Sequence, residues 1–119
     1  MYKLTLTPGE LTLKQLRAVS REGVQLSFTS GVKEHMQPSI DTVANVLSEG
    51  RVVYGINTGF GLLANTRIDA EDLETLQRSI VLSHAAGIGT FMDDHTVRLM
   101  MVLKINSLAR GYSGIRFSV

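Results

Sequence analysis

The stretch VYGINTGFGLLA, Val53 to Ala64, carries three glycines and one tyrosine, and its reading separates two kinds of fold. Its second half, GFGLLA from Gly59 to Ala64, fits G-x-G-x-x-A, the fingerprint of a dinucleotide-binding parallel sheet. In such a sheet the glycines turn the chain tightly, a helix begins within the motif, and an acidic residue about twenty positions on holds the ribose. Here Asn65-Thr66-Arg67 follows at once, and His84 stands where the acid belongs. A phosphate loop of the Walker type needs Lys-Ser/Thr after its last glycine, and none is present. The segment instead reads as a strand, Arg51 to Ile56, entering a glycine-rich loop over about residues 54–66. Glycine is tolerated where backbone turns sharply, moves or approaches a ligand. Tyr54 at the mouth of this loop is either an amphipathic edge residue or a group offered to a ligand, and the local pattern leaves both open.

Outward from the loop, local signals predict mixed structure in which helix predominates. Tyr2 to Thr7 alternates as a short strand, Pro8-Gly9 makes a turn, and Thr12 to Gln15 has the Thr-x-x-Gln form of a capping box opening a helix to about Glu22. Val24 to Phe28 alternates again as a strand. Ile40, Val43, Ala44 and Leu47 recur at helical spacing, with Pro38 suited to the helix start and Gly50 to its stop; Ser30 to Met36 is undecided. After the loop, Asp69 is the expected N-cap of a helix presenting Leu73, Leu76 and Ile80 on one face and ending near Ala86-Gly87. The last helix opens at Asp93-Asp94 and runs to Gly111. Its unbroken apolar run, Leu99 to Leu103, covers more than one face and predicts neighbours all round.

The 119 residues accommodate a single domain, residues 1–119, and 44% hydrophobic against 19% charged residues makes it globular rather than disordered. The net charge of +1, with basic residues scattered, argues against a nucleic-acid partner. No cysteine is present, which excludes disulfides, thiolate metal sites and a cysteine nucleophile, and fits a reducing cytoplasm. MYKLTLTPGE lacks the apolar run of an export signal, and the longest uncharged segments, such as Val52 to Thr66, are too short and polar to cross a bilayer. The chain stops abruptly in YSGIRFSV without a Gly/Pro exit or polar tail, as a piece cut from something longer would.

Titratable groups offer little by pattern alone. His35, His84 and His95 have no H-E-x-x-H spacing and no carboxylate that completes a site, so no metal is expected. No G-x-S-x-G elbow supports a serine triad. His84 falls on the face of Leu73, Leu76 and Ile80, where an imidazole is either a core residue bonded to a carbonyl or a pocket residue that recognises substrate.

YGINTGFGLLANTRI (54–68), LQRSIVLSHAAGIG (76–89) and RLMMVLKINSLARGYSGIR (98–116) together resemble the N-terminal part of the aromatic amino acid lyases. The likeness spans essentially the whole chain. Ile56-Asn57 and Leu62-Leu63 look like the histidine ammonia-lyase branch, where others tend toward Val-Thr in the loop; Asn65 stands where Ser is expected. The resemblance implies the N-terminal domain of the ammonia-lyase fold, with short strands and the start of a central helical region. It implies elimination of ammonia from L-histidine to give trans-urocanate in histidine degradation, by a cytoplasmic homotetramer. Tyr54 matches the family's catalytic base, His84 a substrate-pocket residue that phenylalanine-using relatives replace by an apolar one, and Gly55, Gly59 and Gly61 the flexible points of the loop. The family's electrophile is a methylidene-imidazolone (MIO) built from Ala-Ser-Gly. That tripeptide is absent from this chain, which is therefore expected to be inactive alone. The alternatives are a non-catalytic interaction module of lyase-like fold, self-associating or bound to a full-length lyase through its apolar helix, and a segment of a tyrosine ammonia-lyase.

Overall fold

Alternating apolar residues at the N-terminus build strand β1, Tyr2–Leu6, which buries Leu4 and Leu6 and exposes Lys3 and Thr5. The computed structural model covers residues 1–119. Helix α1, Leu13–Arg21, follows, and both halves of its capping box form: Gln15 N–H donates to Thr12 Oγ1 at 3.3 Å, and Thr12 N–H to Gln15 Oε1 at 2.8 Å. Strand β2, Val24–Phe28, then pairs with β1 in parallel, in register from Tyr2↔Val24 to Leu6↔Phe28. Parallel neighbours cannot be joined by a hairpin, and α1 is the crossover that returns the chain to the same edge direction.

Helix α2, Val32–Glu49, begins six residues before the Pro38 expected to start it, and Pro38 lies in its interior. The reason is tertiary. Val32 and Met36, one turn apart, are buried together with Ala109 against Phe28, Ile40 and Ile115. Burying two such side chains contributes about 1.5–3 kcal/mol each, which offsets the roughly 3 kcal/mol of an interior proline. Gly31, at φ +84°, brings the chain into the helix, and its carbonyl accepts the His35 N–H at 2.9 Å.

After helices α3, Leu73–His84, and α4, Asp94–Leu108, the chain divides into two compact units: Met1–Asp41 with Phe91–Val119, and Thr42–Thr90. In the first, α4 packs on α1 through a core of Leu4, Val19 and Val102. Arg98 on α4 closes the end of α1, donating from Nε to the Val19 carbonyl at 3.1 Å and from Nη2 to that of Ser20 at 2.8 Å. Those carbonyls have no partner within their own helix, and a cation at the negative end of the dipole suits them. The exit of α4 lies hard against α2. A Cβ on Gly111 would stand 2.8 Å from the His35 carbonyl oxygen, and Ser39 Oγ donates to the Gly111 carbonyl. The prediction of neighbours all round for Leu99 to Leu103 is not met within this chain: Val102 is buried and Leu99 packs beside it, but Met100, Met101 and Leu103 stay about half exposed.

The second unit begins with the last turns of α2, which stop at Gly50, φ +65°, as its position predicts. The strand expected over Arg51 to Ile56 does not form. Turns occupy residues 54–56, and the only β pairing nearby is an isolated antiparallel bridge between Thr58 and Arg67. A single 3-10 turn, Gly61–Leu63, replaces the helix a dinucleotide fingerprint would open. Helix α3 starts three residues later than the Asp69 cap implies, with Asp72 at its N-cap, because the Asp72 N–H bonds the Asp69 carbonyl in a preceding turn. No helix is long and apolar enough to cross a membrane.

Candidate active site

Tyr54 is carried on a turn rather than a strand. The Ile56 N–H donates to the Val53 carbonyl at 3.1 Å, closing Val53-Tyr54-Gly55-Ile56, and Gly55 takes φ +81° while Tyr54 does not have a positive φ. A positive φ at the third position alone defines a type II turn, whose geometry only glycine adopts without strain. Tyr54 thus occupies the second position, at the corner, and its side chain is 62% exposed. Its ring meets Phe60 edge-on, with centroids 5.7 Å apart at 65°.

Asn57, which in the sequence is only a marker of the family branch, ties the turn down. It is 3% exposed, and both ends of its carboxamide are used: Oδ1 accepts the Val53 N–H at 2.9 Å and Nδ2 donates to the Arg51 carbonyl at 2.7 Å. Its own carbonyl accepts the Ile68 N–H at 2.9 Å, which joins the entrance of the loop to its exit. The available signal was chemical, since Asn is the side chain that most readily bonds nearby backbone in turns.

The three glycines have separate reasons. Gly55 and Gly61 take positive φ, +81° and +58°, with open space around them, whereas a Cβ on Gly59 would stand 2.5 Å from the Leu63 Cβ. Gly59 therefore permits a close approach, and the other two permit a backbone shape.

His84 is the last residue of α3 and is exposed in this chain. Its Nδ1 lies 2.8 Å from the Ile80 carbonyl and 3.1 Å from Ser83 Oγ. A carbonyl only accepts, which assigns the proton to Nδ1 and leaves Nε2 of the neutral ring as an acceptor. Tyr54 and His84 lie in the same unit without a hydrogen bond between them. The loop thus offers an outward phenol on a fixed turn, and α3 offers an imidazole with one nitrogen spare.

A profile of the aromatic amino acid lyase family matches residues 11–119, and the chain belongs to that family. It is 71% identical over 116 residues to the histidine ammonia-lyase of Photobacterium profundum and 72% identical over 116 residues to one from Aliivibrio fischeri. Each alignment takes in 98% of this chain and 23% of the relative, so the chain spans about a quarter of the length of these proteins. Among solved structures, histidine ammonia-lyase from Trypanosoma cruzi matches with a TM-score of 0.86 at 30% identity, over 98% of this chain and 23% of that one. The ergothioneine-degrading ergothionase from Treponema denticola, in complex with desmethyl-ergothioneine sulfonic acid, matches at 0.87 and 26% identity, over 96% and 23%. The mainly helical fold with a short two-stranded sheet is that of the family over this region. These residues do not fit the MIO group, however, because no Ala-Ser-Gly from which its ring could be built occurs among them.

Proposed function

We propose that this chain is the N-terminal segment of a lyase that eliminates ammonia from L-histidine to give trans-urocanate, with Tyr54 as the base and His84 in the substrate pocket. The observation that carries the reading is the phenol of Tyr54, held outward at the corner of a bonded turn in a chain 71% identical to a histidine ammonia-lyase. The β-hydrogen of an amino acid is barely acidic, so its removal needs a base within hydrogen-bonding reach and correctly aimed. Tyr54 Oη, as the phenolate, takes that proton and becomes the phenol, the C–H electron pair becomes the new double bond, and the C–N electron pair leaves with the nitrogen as ammonia. His84, with Nε2 as an acceptor, is suited to an N–H of the substrate imidazole. Gly55 and Gly61, with open space around them, are the points at which the loop closes over substrate and opens for product, while Gly59 keeps its close packing. Lacking Ala-Ser-Gly, the segment is inactive alone, and the complete enzyme is a cytoplasmic homo-oligomer.

The half-exposed Met100, Met101 and Leu103 favour one further reading, a non-catalytic module that binds a partner through α4. The lyase reading is tested by ultraviolet detection of urocanate with the complete enzyme and its Tyr54→Phe variant, and absence of turnover in the unaltered protein favours the module. Loss of turnover with the fold retained supports the lyase assignment, undiminished turnover removes Tyr54 from the mechanism, and turnover of L-tyrosine in preference to L-histidine moves the segment to a tyrosine ammonia-lyase.

A further inference from the structure

We propose that Asn57 is the positioning residue for Tyr54, fixing where the phenol stands without touching substrate; this rests on the reading of Tyr54 as the base. Tyr54 is exposed, and its ring meets Phe60 edge-on, so beyond that contact its direction depends on the backbone on either side of it. On the leading side, the Val53 N–H is held by Asn57 Oδ1 at 2.9 Å, and the Arg51 carbonyl two residues earlier by Asn57 Nδ2 at 2.7 Å. On the trailing side, the Val53 carbonyl accepts from Ile56 at 3.1 Å and from Asn57's own N–H at 3.3 Å, while the Asn57 carbonyl takes the Ile68 N–H at 2.9 Å. One buried residue therefore anchors the base of the Tyr54 turn from both directions and locks it to the far end of the loop.

The chemistry of the site in this chain suits asparagine. It needs one acceptor and one donor on adjacent atoms of a side chain short enough to fit at 3% exposure, which a primary amide one methylene long supplies. Aspartate keeps the acceptor for Val53 but sets a second acceptor against the Arg51 carbonyl, and alanine leaves both backbone groups unpaired. The consequence is selective. A base acts on the β-hydrogen in the transition state, whereas ground-state binding of histidine rests on other groups, so loosening the turn lowers kcat and leaves KM.

The test is steady-state kinetics and competitive inhibition by urocanate, with the complete enzyme and its Asn57→Ala, Asn57→Asp and Tyr54→Phe variants. Asn57→Ala is expected to lower kcat by about 10²-fold, as a displacement of roughly 1 Å does, with KM and the urocanate inhibition constant unchanged. Asn57→Asp, which keeps the bond to Val53 but turns a carboxylate oxygen on the Arg51 carbonyl, is expected to lose at least as much in kcat as the alanine variant, again with KM unchanged. Wild-type kcat in the folded Asn57 variants, with Tyr54→Phe inactive, overturns the positioning role and leaves Tyr54 as the base. KM and urocanate affinity that weaken in step with kcat also overturn it, because they mark collapse of the whole site. Full activity of Tyr54→Phe removes the base itself, and the inference goes with it.

Discussion

Gly59→Ala tests whether the close packing of the loop is needed for activity. The added Cβ would stand 2.5 Å from the Leu63 Cβ and 3.1 Å from the Leu63 carbonyl oxygen, where carbon atoms in contact stand about 3.5–4.0 Å apart. Both Cβ atoms are fixed to backbone, so no rotamer change relieves an overlap of about 1 Å. The 3-10 turn must move, and three hydrogen bonds pass through it: Leu63 N–H to the Phe60 carbonyl at 3.1 Å, Ala64 N–H to the Gly61 carbonyl at 3.1 Å and Thr66 N–H to the Leu63 carbonyl at 2.9 Å. Overpacking of this kind destabilises by about 1–3 kcal/mol. Phe60 is drawn along, and with it the edge contact that seats Tyr54, so a shift of roughly 1 Å predicts a fall of about 10²-fold in urocanate formation. Adding Leu63→Gly removes the clashing atom and should recover most of that rate. Gly55→Ala is the contrasting case: nothing lies within 4 Å of its Cβ position, so its penalty, about 1–2 kcal/mol, comes only from φ +81° and no neighbouring substitution relieves it. The assays are urocanate absorbance and denaturant unfolding of the complete enzyme. Unchanged rate and stability in Gly59→Ala, or a defect that Leu63→Gly does not relieve, would refute the packing argument.

Two other substitutions probe separate parts of the molecule. Arg98→Met keeps the apolar stem but strands the Val19 and Ser20 carbonyls, and should destabilise by about 1–3 kcal/mol in urea unfolding; an unchanged midpoint would show that water replaces the guanidinium without loss. His84→Leu removes the spare Nε2 acceptor and should shift preference from L-histidine toward L-phenylalanine, measured as the ratio of kcat/KM, whereas an unchanged ratio would place His84 outside the pocket.

Where local chemistry is self-sufficient, the sequence alone determined the result. Alternation placed β1 and β2, the Thr12/Gln15 box placed the start of α1, and Gly50 ended α2, because each depends on residues within a turn or two of one another. The three stretches between Tyr54 and Arg116 likewise revealed the family, since a dense set of motifs survives without knowledge of contacts. Tertiary structure decided the rest. Helix α2 passes through Pro38 because Ala109, far along the chain, buries Val32 and Met36. The strand expected at Arg51 to Ile56 became a turn because Asn57 offers its backbone groups better partners than a sheet edge with no neighbour. Gly59 is distinguished from Gly55 and Gly61 only by Leu63 beside it. Periodicity reports what a residue prefers, whereas the partner that satisfies a buried polar group, or fills the space a glycine leaves, is chosen by contacts the linear order does not contain.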